Sequence, residues 1–237
     1  MFDSVKLDNI TFGYYNDSIY NKVISNLSYT FTKGNLYYLE SPNGIGKSTL
    51  LKSFTHNIEN GNIYFDNINR NDLSFNVLHQ TIFHMFQSSE FTPTFTKQEI
   101  QLLSNHSNRD TYLEERLGLK NLLDKDTIEM SGGQKKRIFL YMVLISNTQI
   151  ILLDELFSEL STQETHEVPE GGGWLRRVIN TLVEWKNLNN KIIILVGHGS
   201  LLSKIKNNSN ITSQKKNNIV KLILRNYYNK TILQSVK

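Results

Sequence analysis

The stretch Ser41-Pro42-Asn43-Gly44-Ile45-Gly46-Lys47-Ser48-Thr49 gathers glycines, a lysine and hydroxyls into one short run. Small residues let successive backbone N–H groups converge on an anion, and the order Gly-Lys-Ser is that of a Walker A phosphate loop. In that loop Lys47 reaches the β and γ phosphates of ATP and Ser48 offers its hydroxyl to Mg2+, while the backbone from Asn43 to Thr49 encloses the triphosphate. Ser41 stands where the G-x-x-x-x-G-K-[ST] pattern has its first glycine. Serine tolerates turns, and the glycines nearest the phosphates, Gly44 and Gly46, are kept. Hydrolysis needs carboxylates as well. The apolar run Ile150-Ile151-Leu152-Leu153 ends in Asp154, suited to hold Mg2+ through water, and Glu155 follows as a general base for an attacking water.

These groups need a scaffold of strands whose ends carry loops. Asn35 to Glu40 reads as a strand feeding the glycine loop, and Lys47 to Phe54 as the helix after it, which is the context a phosphate loop requires. Alternating apolar residues from Val5 to Phe12 and from Leu27 to Phe31 predict half-buried antiparallel strands. Gly61 to Phe65 and Thr81 to Phe86 read as short strands, the second ending at Gln87. From Ser88 to about Met130 the pattern turns helical, most clearly over Lys97 to Leu103 and Thr111 to Leu117. Gly132 and Gly133 then break the chain before a helix from Gln134 to Ile145. Gln149 to Leu153 and Lys191 to Val196 read as buried strands of the parallel-sheet type, carrying the apolar runs Ile150 to Leu153 and Ile192 to Val196. Glu164 to Arg177, with Pro169 and Gly171 to Gly173, reads as a flexible loop, and Ile219 to Leu224 as a last strand.

The 237 residues suffice for a full core, and 39% hydrophobic with 20% charged residues is an ordinary globular composition. The absence of cysteine excludes disulfides, thiolate catalysis and cysteine-ligated zinc. The longest apolar runs have strand length, far short of the roughly 20 residues of a spanning helix, and Met1 to Phe12 lacks the pattern of a signal peptide. The net charge of +4 gathers toward the C-terminal third as a solvated basic surface, and no nucleic-acid partner is expected.

Met130-Ser131-Gly132-Gly133-Gln134, shortly before the run ending at Asp154, resembles the signature of the ATP-binding cassette (ABC) proteins, with Met130 where leucine is commoner. The resemblance covers about Val5 to His198. It implies that Ser131, Gly132, Gly133 and Gln134 meet the γ-phosphate bound to an opposite subunit, in a head-to-tail dimer holding two ATP molecules. It implies that Tyr14 stacks on adenine, a role the adjacent Tyr15 could also fill, that Gln87 ligates Mg2+ together with Ser48 and Asp154, and that His198 contacts the γ-phosphate. The family's S-A-L-D loop here reads Ser158-Glu159-Leu160-Ser161, so the coupling aspartate is missing. The interval from Asp154 to His198 is also longer than usual, the excess coinciding with the Glu164 to Arg177 stretch.

The fold class implied is α/β: a P-loop NTPase core with a mostly parallel sheet, an N-terminal antiparallel β-subdomain and an inserted α-helical subdomain. Residues 1–237 form one nucleotide-binding domain, with 1–87 and 131–237 as core and 88–130 as the helical insertion. The expected function is Mg2+-dependent ATP hydrolysis powering a separate integral membrane permease, from a peripheral position on the cytoplasmic face of the cell membrane, as a homodimer or heterodimer of ATP-binding subunits. The short segment after His198 fits an exporter of peptides, lipids or drugs better than an importer with a C-terminal regulatory domain. The alternatives are a soluble ABC ATPase without a membrane partner, such as an iron–sulfur assembly subunit, and a nucleotide sensor that does not hydrolyse ATP.

Overall fold

A computed structural model of the protein describes residues 1–85, 94–106, 109–154, 174–185, 188, 190–197, 219–227 and 230–236. Strand β1 (Ser4–Asn16) and strand β2 (Ile19–Thr32) form a hairpin closed by Asp17 and Ser18, both at positive φ (44° and 72°), as a two-residue turn between twisted strands demands. The inward face of β1 changes phase along its length. Val5 and Leu7 are buried, then Ile10 and Phe12, because the ladder shifts between Leu7 and Ile10, where Asn9 takes φ 53°. Strand β3 (Asn35–Glu40) enters the phosphate loop, and helix α1 (Lys47–Ser53) leaves it. Strand β4 (Asn60–Phe65) and the short β5 (Ile68–Asn69) complete a four-stranded sheet of order β2-β1-β4-β5.

The second sheet contains β3, β6 (Ile82–Met85), β7 (Ile150–Asp154), β8 (Ile192–Gly197), β9 (Ile219–Tyr227) and β10 (Lys230–Val236), in the order β10-β9-β3-β8-β7-β6. All neighbours run parallel except the last pair: β10 returns antiparallel to β9 and forms one edge. Strands β7 and β8 are buried along their whole length, which accounts for their unbroken apolar sequence. On one face Leu39, Leu152 and Ile194 pack against Leu50, Leu51 and Phe54 around α1 and against the antiparallel sheet. On the other face Leu36, Ile151, Leu153 and Ile193 pack against helices α5 (Gly132–Ile145) and α6 (Trp174–Glu184). Between β6 and α5 the chain forms helices α3 (Lys97–His106) and α4 (Thr111–Arg116). Helix α4 is tied to its neighbours by buried polar contacts: Tyr141 Oη donates to Glu114 Oε1 at 2.7 Å and Trp185 Nε1 to Asp110 Oδ2 at 2.7 Å.

The architecture is the α/β arrangement expected, an antiparallel N-terminal sheet beside a mostly parallel one. Four local readings need correction. The first two strands are longer than their clean alternation suggested, since register shifts break the alternation without ending the pairing. Thr81 closes an additional helix, α2 (Phe75–Thr81), capped by Ser74, and is not the start of β6. Gly132 and Gly133 form the first turn of α5 instead of preceding it, because Ser131 and Gln134 make a capping box. Trp174 to Arg177 belong to α6, not to a loop; residues 164–173 lie outside the described residues. No helix among the described residues is long and apolar enough to cross a membrane.

Candidate functional site

Parallel neighbours place their C-terminal ends on one edge of the sheet, where loops gather into a ligand site. In this chain β3, β8 and β7 are consecutive, with Glu40 level with Gly197 and Asp154 level with Val196. The phosphate loop therefore begins at the same edge on which Asp154 ends its strand. Glu155 and His198, the next residues after those strand ends, lie outside the described residues, as do Gln87, Ser158 and Ser161.

Within the loop, Gly46 sits at φ 107° and caps α1 with no side chain; Leu50 N–H donates to its carbonyl at 2.8 Å. A Cβ on Gly46 would lie 2.8 Å from Val23 Cγ1, so both backbone angle and space demand glycine. Lys47, only 5% exposed, folds back along the loop and donates from Nζ to the carbonyls of Ser41 (2.8 Å) and Pro42 (3.0 Å). The ammonium is thus held within the turn formed by residues 41–47. Ser48 and Thr49 follow in the first turn of α1.

Ser41 has a task that no local pattern announces. Its Oγ accepts the Leu224 N–H at 2.8 Å and lies 3.2 Å from the Leu224 carbonyl and 2.5 Å from that of Glu40, to either of which its hydroxyl can donate. The β3–β9 ladder runs through Leu39 and Leu222, and the serine side chain adds one rung beyond it. Beside it Lys221 Nζ pairs with Glu40 Oε2 at 3.2 Å. On β8, a Cβ at Gly197 would fall 2.4 Å from Tyr38 Oη, so the tyrosine occupies the space that this glycine leaves. Burial, with the Glu40 carboxylate second, pushes the Tyr38 phenol up to about 12, and it stays protonated.

Asp154 is 2% exposed, with α1 packed beside β7. Ser48 and Asp154 offer hard oxygen donors, the chemistry Mg2+ prefers. The two tyrosines left open by the sequence part company here. Tyr14 turns toward α1, its Oη 3.2 Å from Thr49 Oγ1 and its ring under Lys52 Nζ at 5.5 Å from the centroid. Tyr15 faces away, 67% exposed, its ring 5.1 Å from that of Tyr20 and its Oη 3.5 Å from Glu59. The sequence carries no signal for the Lys52–Tyr14 contact, since a lysine in the second turn of a helix has no pattern of its own.

Ser131 caps α5: Gln134 N–H donates to its Oγ at 3.2 Å, and Ser131 N–H to Gln134 Oε1 at 3.1 Å. Ser131 and Gly132 are exposed, and a Cβ on Gly132 would meet nothing within 4 Å.

Comparison with known proteins agrees with this geometry. The profile of the ABC transporter family matches residues 24–158, more than half the chain. The chain is 28% identical over 228 residues to the energy-coupling factor transporter ATP-binding protein EcfA of Malacoplasma penetrans, covering 91% of this chain and 74% of that one. It is 31% identical over 155 residues to a probable metal transport system ATP-binding protein of Chlamydia pneumoniae, covering 58% of each. It is 33% identical over 167 residues to the cytochrome c biogenesis ATP-binding export protein CcmA of Reclinomonas americana, covering 63% of this chain and 72% of that one. Among solved structures, the ATP-binding cassette MJ0796, in a dimeric post-hydrolysis state bound to ADP and Pi, superposes with a TM-score of 0.63 at 23% identity, covering 85% of this chain and 90% of that one. An ATP-bound bacterial Atm1-family exporter superposes with a TM-score of 0.65 at 19% identity, but this chain covers only 37% of it. With its phosphate loop, its signature and Asp154 all inside the matched segment, the chain belongs to the ABC transporter family.

Proposed function

We propose that this chain is the ATP-binding and ATP-hydrolysing subunit of an ABC transporter, a single nucleotide-binding domain in which residues 88–130 form a helical arm inserted into the core. The observation that carries the reading is the convergence of the phosphate loop and Asp154 on one edge of the parallel sheet, with Lys47 already folded into the loop.

Catalysis in such a site is positioning and charge neutralisation, without covalent chemistry. The backbone of residues 43–49 wraps the triphosphate, Lys47 exchanges two loop carbonyls for phosphate oxygens, and Tyr14 supplies a face for the adenine ring. Ser48 and Asp154, joined by Gln87, would hold Mg2+, which when bound neutralises charge on the β and γ phosphates. Glu155 orients and deprotonates the attacking water, and His198 contacts the γ-phosphate.

The signature requires a second subunit. Among the described residues, a Cβ at Gly132 would meet nothing within 4 Å, which leaves room for the close approach of another molecule. Two such chains arranged head to tail would bring Ser131, Gly132, Gly133 and Gln134 against the γ-phosphate held by the partner. The cycle of closure and opening then drives a separate membrane-spanning subunit from the cytoplasmic side. The relatives' names cover both an energy-coupling factor transporter and an export protein, so we assign cargo and direction to the membrane partner.

ATP turnover by the purified chain with Mg2+, beside Glu155→Gln, tests this reading. Hydrolysis by the parent, and an ATP-trapped dimer without turnover in the variant by light scattering, are the expected results. A parent that binds no ATP, or a variant that hydrolyses as fast as the parent, overturns it.

A further inference from the structure

Strands β9 and β10 lie beyond the segment that the family profile matches, yet two residues of β9 hold the phosphate loop by hydrogen bonds. Leu224 N–H is held by the Ser41 hydroxyl, and Leu224 Cδ2 lies 3.9 Å from where a Gly46 Cβ would stand. The second hydrogen-bonded contact comes from Asn226, whose Nδ2 donates to the carbonyls of Ile45 at 3.1 Å and Val23 at 3.3 Å. The orientation of that amide is determined by its other end. Thr231, the register partner of Asn226 on β10, donates its hydroxyl to Asn226 Oδ1 at 2.8 Å and accepts the Ser25 N–H at 2.9 Å. Oδ1 can only accept and Nδ2 only donate, so the Ser25–Thr231–Asn226–Ile45 chain runs in one direction.

The consequence falls on the peptide between Ile45 and Gly46. In a trans peptide the C=O and N–H point opposite ways. Holding the Ile45 oxygen toward the hairpin therefore turns the Gly46 N–H away from it. Glycine at φ 107° has the conformational freedom to let this plane rotate. A rotated plane would present a carbonyl oxygen to the phosphates in place of a donor.

We propose that Asn226, set in place by Thr231, is a positioning residue of the phosphate loop: it locks the 45–46 peptide in the donor-inward orientation that an anion requires. The proposal rests on the reading of residues 41–49 as a nucleotide-phosphate loop. It makes the C-terminal hairpin part of the binding machinery through its hold on the loop.

The experiment compares the full-length parent with Asn226→Ala, Asn226→Asp, Thr231→Val and Thr231→Ser. Three quantities are measured: affinity for Mg2+-ATP, affinity for inorganic tripolyphosphate, and hydrogen exchange of amides 44–48 without ligand, each beside a thermal unfolding curve. Loss of the hydrogen bond is expected to weaken both ligands by a similar factor of about ten in Asn226→Ala and Asn226→Asp. Exchange in the loop should quicken while the unfolding midpoint barely moves. Thr231→Ser, which keeps the hydroxyl, should restore parental binding where Thr231→Val does not. Unchanged loop exchange and unchanged tripolyphosphate affinity in Asn226→Ala overturn the proposal, as does a loss of binding accompanied by faster exchange throughout the chain. A parent that binds neither ligand overturns the nucleotide reading instead, and the exchange measurement still decides whether Asn226 holds the loop.

Discussion

Tyr14 and Thr49 meet across 3.2 Å, phenolic oxygen to Oγ1, joining the end of the first strand to the first turn of the helix that follows the phosphate loop. The contact puts the Tyr14 ring on the side of α1, which suits the stacking role proposed for it, and leaves Tyr15 on the other side. Stacking of a base on an aromatic ring is worth about 1–3 kcal/mol. Tyr14→Ala should accordingly weaken ATP binding by roughly ten- to a hundredfold without changing the affinity for tripolyphosphate. Tyr14→Phe should keep most of the affinity, and Tyr15→Ala nearly all. Calorimetric titration of each variant checks this; a larger loss from Tyr15→Ala than from Tyr14→Ala would reverse the assignment.

Ser41→Gly restores the commoner residue of the pattern and is nevertheless expected to destabilise the chain. The change removes the rung between Ser41 and Leu224 and leaves the Leu224 N–H, at a largely buried position, without its hydroxyl acceptor. The cost should be about 1–3 kcal/mol in urea unfolding. A variant as stable as the parent would show that the rung contributes nothing net.

Ser131 combines a local task with the proposed intermolecular one, and the two separate by substitution. Aspartate caps a helix as well as serine does, whereas alanine costs about 1 kcal/mol. Ser131→Asp should therefore unfold at the parental denaturant midpoint while losing ATP-dependent dimerisation, because its carboxylate repels the phosphate of the opposite subunit. Light scattering with Glu155→Gln as background reads the dimer. Retained dimerisation in Ser131→Asp would remove Ser131 from the interface.

Lys191 immediately precedes β8. Its Nζ donates to the carbonyls of Ser146 (2.9 Å) and Thr148 (2.5 Å), and burial lowers its pKa from 10.5 to about 8. A neutral amine keeps two N–H donors, so both contacts survive deprotonation. Between pH 8 and 10.5 the unfolded chain holds a proton that the folded chain has released, so this group makes stability rise with pH across that window. Below it both states are charged and the folded chain bears the full cost of burial. The difference in unfolding free energy between parent and Lys191→Met should grow in the parent's favour from pH 8 upward, by at most about 3 kcal/mol. The difference cancels the tyrosines, which titrate in the same region. A flat difference would mean that Lys191 titrates near its ordinary value.

Most of what was legible in the sequence depends on near neighbours along the chain. The phosphate loop, the buried runs of β7 and β8 and the strand-loop-helix order around Lys47 each occupy a short window, and the physics that shapes them acts within it. Segments whose structure departs from the sequence pattern do so for the same reason. The Ser131 and Gln134 capping box was present in the sequence, but the adjacent glycines suggested a break, and only the two reciprocal hydrogen bonds show that they open the helix. The alternation in β1 predicts a single inward face, whereas the shift at Asn9 moves the inward positions by one residue.

By itself the sequence determined the chemistry offered: a glycine-bearing loop suited to cradle an anion, carboxylates at the end of a buried strand, and a signature whose glycines imply close approach. Which groups meet was decided by the tertiary structure. Ser41 reaches Leu224 and Ile45 reaches Asn226 across more than three quarters of the chain, and Tyr14 rather than Tyr15 faces α1 because the register shifts along β1 set its final phase. Strand order, register and side-chain facing depend on how distant elements pack, and no local window contains the atoms that decide them.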